Sequence, residues 1–230
     1  MASPRRIGAP DAKNRAVLLD ATEQLMLEEG YAAVSSRRVA AKAGLKPQLV
    51  HYYFRTMDDL FLAVFRRLAE EGTKRQAAAL ASPQPLRAIW ELSTEEFNTA
   101  LTMEFVALAN HRKAIRAEIV QHAERGRAEL LTALPRLMER YSVSPDAFPP
   151  AVVAFLMTSI SRMLVMEQAI GMSITHQETA AFVEDYILRL ERDADAVQAK
   201  AQAGAAEAEA ARAEGADHAS RGADAVVRHG

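Results

Sequence analysis

Between Ser35 and Phe54 the chain reads SSRRVAAKAGLKPQLVHYYF, two short helical runs on either side of one glycine. Few folds accommodate that pattern. Ser35 or Ser36 can cap the first run, because a serine hydroxyl accepts from the free N–H groups of an opening turn. Val39, Ala40 and Ala43 fall three and four apart and give a narrow apolar face. Gly44 supplies the left-handed residue that ends a helix, and Leu45 can return to the core. Pro47 suits the first position of a second helix, where its missing N–H would be unpaired in any case. Val50 and Phe54 lie four apart and point inward, which turns Gln48, His51, Tyr52 and Arg55 outward. Helix, glycine turn, helix is the arrangement whose second helix enters a DNA major groove.

Charge agrees with that expectation. Ser35 to Arg55 holds five basic residues and no Asp or Glu. Residues 1–55 carry nine Lys/Arg against five Asp/Glu, or +4, and the remainder nineteen against twenty-five, or −6, so the positive charge is local. A basic patch with planar and amide side chains among its charges is the footprint of nucleic-acid binding. An ordinary solvated basic face would explain the charge alone, but not the Gly44 turn with its outward Gln-x-x-His-Tyr face.

Residues 30–54, GYAAVSSRRVAAKAGLKPQLVHYYF, resemble the DNA-binding segment of the TetR family of bacterial transcriptional regulators. The likeness extends to Arg15–Glu29 before it and Leu60–Phe65 after it, about the first quarter of the chain. It rests on the glycine–aromatic pair before the turn, Val-Ala-x-x-Ala-Gly across it, and Tyr-Phe closing the second helix. The resemblance implies that Arg37, Gln48, Leu49 and His51 face base edges. It implies that Ser36, Lys46, Tyr52, Tyr53 and Arg55 mostly hold phosphates; Pro47, at the helix start, belongs to the same DNA-binding set. Lys46 and Leu49 stand where many members carry Ser or Thr, and Met57 where many carry lysine. Leu49 suits a thymine methyl instead.

The rest of the chain reads as all-α. Half its residues are hydrophobic, while Gly (10) and Pro (9) are sparse among 230. We expect a three-helix N-terminal helix-turn-helix DNA-binding head joined by a long helix to a helical ligand-binding and dimerisation domain. The divisions are 1–10, a flexible basic arm with Arg5 and Arg6; 11–56, the helix-turn-helix domain; 57–192, the ligand-binding and dimerisation domain; and 193–230, an Ala-rich tail, disordered or frayed. The first helix, 11–29, should bury Ala16, Val17, Ala21, Leu25 and Met26. A Thr56–Asp59 capping box opens a helix to about Ala81. Further helices are expected at 85–109, 112–124, 127–141 (kinked at Pro135) and 150–171. A Thr175–Glu178 capping box should open the last one, with a Phe182, Val183, Tyr186, Ile187, Leu190 stripe.

With no cysteine, disulfides and thiolate metal sites are excluded and a reducing cytoplasm is allowed; a cytoplasmic location is the expectation. The charged N-terminus precedes no apolar run, unlike a secretion signal. The stretch Ala151–Met166, interrupted by Thr158, Ser159, Ser161 and Arg162, is expected to be too short for a bilayer, so no membrane partner is anticipated. No catalytic or metal signature is recognisable. His111 and His122 lack helical ligand spacing, His176 opens a helix, and Ser159 and Ser161 have no glycine elbow. No cofactor is expected.

Adaptable apolar residues recur in the C-terminal part: Trp90, Phe97 and Met103, then Phe105, Met157, Met163 and Met166. Family resemblance implies a ligand cavity there, and methionine suits one that accommodates varied shapes. A small hydrophobic effector is therefore expected. Two helices show more apolar surface than one subunit readily covers. Val153, Leu156, Ile160 and Leu164 on one, with Phe182, Val183, Tyr186 and Leu190 on the other, should pair across a two-fold axis into a homodimer. The combined expectation is a repressor that binds an inverted-repeat double-stranded operator and is released by the effector. The alternative is an all-helical carrier or enzyme that uses an apolar cavity and binds DNA incidentally.

Overall fold

The structure, a computed structural model, describes the backbone of residues 9–227, and their side chains apart from 9–11, 96–98 and 207–227. The arm before Ala9 lies outside the described residues, as does the Phe97 side chain. Among the described residues there are helices and turns but no strand: α1 (Ala9–Glu29), α2 (Ser36–Lys42), α3 (Pro47–Tyr53), α4 (Met57–Leu80), α5 (Pro85–Ser93), α6 (Glu96–Ala109), α7 (Lys113–Arg140), α8 (Pro150–Ala169) and α9 (His176–Val227). A single 3₁₀ turn, Tyr31–Ala33, joins α1 to α2.

Two apolar cores organise these helices. The first gathers Leu18, Leu25 and Met26 of α1, Val39 of α2, Val50 of α3 with Phe54 beyond it, and Leu60, Phe61 and Val64 of α4. Leu101, Phe105 and Leu108 of α6 complete it, with Ile115 of α7. The three-helix head therefore shares its core with α6. Phe61, Phe105 and Leu60 are fully buried, each contributing about 1.5–3 kcal/mol over an exposed position. The second core holds Leu86 and Trp90 of α5, Leu130, Leu134 and Met138 of α7, Ala154 of α8 and Ile187 of α9. At 28 residues, or roughly 42 Å, α7 runs through both.

On α1, Ala16 is exposed and Val17 only half-buried, while Leu18, Ala21, Thr22, Leu25 and Met26 face inward. Thr22 can stand in that stripe because its hydroxyl donates to the Leu18 carbonyl at 2.7 Å. The Thr56–Asp59 capping box forms in full and opens α4. The expected helix 85–109 is divided at Thr94–Glu95. Ser93 and Thr94 hydroxyls both donate to the Trp90 carbonyl at 2.9 Å and so compete with the backbone ladder. Conversely, 112–124 and 127–141 are one helix, which runs through Gly126 and Pro135.

Gly171 ends α8, with φ 84°. The capping box expected at Thr175 does not form: Thr175 itself adopts φ 69°, whereas a capping threonine is extended. The last helix then continues past Asp193 to Val227, through the stretch expected to be disordered or a frayed helix. Alanine's high helix propensity carries it although residues 195–206 are exposed. At 20 residues, α8 is long and apolar enough to cross a membrane by length and composition, contrary to expectation. Only 17% of that stretch is buried within the chain, so α8 also presents an outward apolar face.

Candidate nucleic-acid interface

The α2–α3 hairpin is fixed by local chemistry. The Ser35 hydroxyl, not that of Ser36, accepts from the Arg38 N–H and caps α2. At the other end Gly44 adopts φ 65°, the Leu45 N–H reaches back to the Ala40 carbonyl (2.9 Å), and the Gly44 N–H bonds to Ala41 (3.2 Å). That pair of bonds is the Schellman closure, which satisfies the last carbonyls of a helix and turns the chain. Pro47 opens α3, and its buried side is set by Val50 and Phe54.

Burying Val50 and Phe54 determines what α3 presents. Lys46, Pro47, Gln48, His51, Tyr52 and Arg55 are exposed, as is Arg37 on α2, while Ser36, Leu49 and Tyr53 are half-buried. Tyr52 stands 59% exposed and meets Tyr53 edge-on, ring centroids 5.0 Å apart. Arg15 of α1 lies over the Phe54 ring, 5.4 Å from its centroid.

The five cations are not equivalent. Arg38 is paired with Glu29, and Lys42 with Glu28 at 2.6 Å, both acids from the end of α1. The Arg38 hydrogen bond holds the Glu29 carboxyl below its ordinary range. Arg37, Lys46 and Arg55 make no ion pair among the described residues. The acid-free run thus divides into two cations bound internally and three turned outward. Reading the hairpin alone missed this, although the Glu28–Glu29 pair one turn before it was the available signal.

The C-terminal set does not converge. Phe105 is buried in the first core and Trp90 in the second, against which Met157 packs. Met103 and Met163 are exposed and Met166 is half-buried. A cleft of about 230 Å³ opens beside Trp90, lined also by Arg87, Glu91, Glu184, Ile187 and Leu188. Of the residues proposed for the other face, Leu156, Phe182 and Tyr186 are exposed, and Val153, Ile160, Leu164, Val183 and Leu190 half-buried against the second core.

The sequence model described as bacterial regulatory proteins, tetR family, matches residues 18–64, which span α1 through the first turns of α4. Residues 18–64 are thus a TetR-family DNA-binding segment. Like it over most of its length is the HTH-type transcriptional regulator BetI of Rhizobium meliloti (strain 1021), 25% identical over 191 residues, covering 79% of this chain and 91% of the relative. The regulator PksA of Bacillus subtilis (strain 168) is 29% identical over 110 residues, 44% of this chain and 54% of the relative. Among solved structures, a TetR transcription regulator from Haloarcula marismortui superposes with a TM-score of 0.62 at 20% identity, covering 80% of this chain and 98% of that one. A Saccharomonospora viridis protein in complex with choline gives 0.63 at 17% identity, covering 76% and 96%. These structures share the TetR-family fold of helix-turn-helix head and helical body. The segment match and the relatives together support a transcriptional regulator of the TetR type.

Proposed function

We propose that this TetR-family regulator is a repressor, binding an inverted-repeat operator as a dimer and leaving it when a small molecule binds. The observation that carries the reading is the outward α3 face, with Arg37, Lys46 and Arg55 unpaired among the described residues beside exposed Gln48, His51 and Tyr52. In this reading Arg37, Gln48, Leu49 and His51 meet base edges, and Ser36, Lys46, Tyr52, Tyr53 and Arg55 hold phosphates. Two copies pair through α8 and α9, whose uncovered Leu156, Phe182 and Tyr186 need a partner surface. Half-site centres then fall about 10 bp apart or at a multiple of that.

The effector is expected to be small and hydrophobic. A second reading, an organic cation, is favoured by the choline bound in the Saccharomonospora viridis protein and by the carboxylates of Glu91 and Glu184 beside Trp90. Footprinting the full chain on the DNA upstream of its own gene tests the proposal. A two-fold symmetric protected segment is expected, lost when effector is added. Equal affinity for that DNA and for random sequence would refute it.

A further inference from the structure

The head is tied to the body by a contact independent of α4. The Glu104 carboxylate, on α6, accepts a hydrogen bond from the Tyr31 backbone N–H at 2.6 Å, across 73 positions of sequence. Tyr31 opens the 3₁₀ turn that sets α2 against α1. Its N–H is aimed at α6 because Gly30 adopts φ 80° and ψ 161°, a conformation essentially confined to glycine. Glu104 makes no ion pair among the described residues, so this one N–H takes the carboxylate. On either side of it Leu101, Phe105 and Leu108 are buried against α1 and α4. The following corner adds a second tie: Arg112 pairs with Asp58 in the first turn of α4, and its guanidinium lies 5.6 Å from the Phe61 ring centroid.

We propose that Glu104 is a positioning residue for DNA binding: its carboxylate clamps the α1–α2 corner to α6 and thereby sets the tilt of the α2–α3 hairpin. The proposal rests on the reading of α3 as the DNA-contacting helix. It differs from a linkage through α4 alone, because α6 also packs on α8. A shift of α6 caused by an effector, or by the second copy on α8, reaches the hairpin directly. A charged acceptor suits the role, since a charge-assisted bond to a backbone N–H is stronger than a neutral one.

The test uses the full-length protein, with Glu104→Ala and Glu104→Gln, whose amide oxygen can still accept. Hydrogen exchange over residues 30–34, melting temperature, and affinity for upstream and random DNA are measured together. For Glu104→Ala we expect exchange at that corner to quicken at least tenfold. Affinity for upstream DNA should fall about tenfold while random DNA is bound as before, and Glu104→Gln should restore most of the loss. A merely structural residue would lower the melting temperature and both affinities together. Unchanged upstream affinity in Glu104→Ala, with wild type binding normally, would overturn this proposal alone. Wild type showing no preference for upstream DNA would instead overturn the functional reading on which it rests.

Discussion

The Tyr141 hydroxyl donates a 2.7 Å hydrogen bond to the buried carboxylate of Glu191, which also accepts the Leu86 backbone N–H at 3.0 Å. One acid on α9 thus joins the end of α7 to the first turn of α5, inside the second core. Burial, then the Glu191 bond, pushes the Tyr141 phenol well above its ordinary value, so it remains a donor throughout the working range. Removing Glu191 leaves both donors buried and unpaired, so Glu191→Ala should cost about 3 kcal/mol. Tyr141→Phe, which leaves the carboxylate its backbone partner, should cost about 1–2 kcal/mol. Urea titrations followed by circular dichroism would measure both.

His122 predicts a pH dependence. It lies on α7 with its ring edge-on to Phe65 of α4, centroids 5.8 Å apart. Burial, followed by nearby Arg125, lowers its pKa, while Glu129 and Glu118 pull the other way. With the folded value below the unfolded one, the unfolded chain takes up the proton first as pH falls. This contribution to stability is whole above about pH 6.5 and is lost as pH drops from there through the lower folded value. Melting temperatures between pH 8 and 5 should fall for wild type more than for His122→Leu.

Gly44 has open space around it, so its requirement is conformational. Gly44→Ala should therefore destabilise by about 1–2 kcal/mol through backbone strain alone, and Gly44→Asn by less. Thermal unfolding would rank the two.

Much of the head was legible because its signals are local. Gly44, Pro47 and the Val50–Phe54 spacing each act within one turn, as does the Thr56–Asp59 box. What was not legible depends on distant partners. Glu28 and Glu29 read as ordinary surface acids until α1 is laid beside α2. Glu191 looks like any acid on a solvated helix, and only packing shows it buried. The break after Ser93 carries no glycine or proline; there the Trp90 carbonyl takes the Ser93 and Thr94 hydroxyls as well as the Thr94 N–H. Continuity through Gly126 reflects the modest penalty of about 1 kcal/mol for one glycine in a long helix. The residues named for the pocket are divided because Trp90 and Phe105 share a periodicity but lie in different cores.

For the second copy, Leu156 (49% exposed) and Phe182 (67%) are the residues to charge. The double variant Leu156→Glu, Phe182→Glu should weaken self-association by about 2–4 kcal/mol, the range of interface anchors. Sedimentation would then show monomers at concentrations where wild type is dimeric, with helicity retained and operator affinity lost. A wild-type monomer at micromolar concentration would contradict the pairing.

The central claim, that the α3 face reads DNA, is tested most directly by anisotropy titrations on upstream and random duplexes over a range of salt. Wild type, Gln48→Ala and Lys46→Ala are compared. Gln48→Ala should lose about 1–3 kcal/mol on upstream DNA with little change on random sequence. Lys46→Ala should weaken both alike and reduce the salt slope by about one. If the two variants lost the same affinity on both duplexes, or neither lost any, α3 would not be the reading helix.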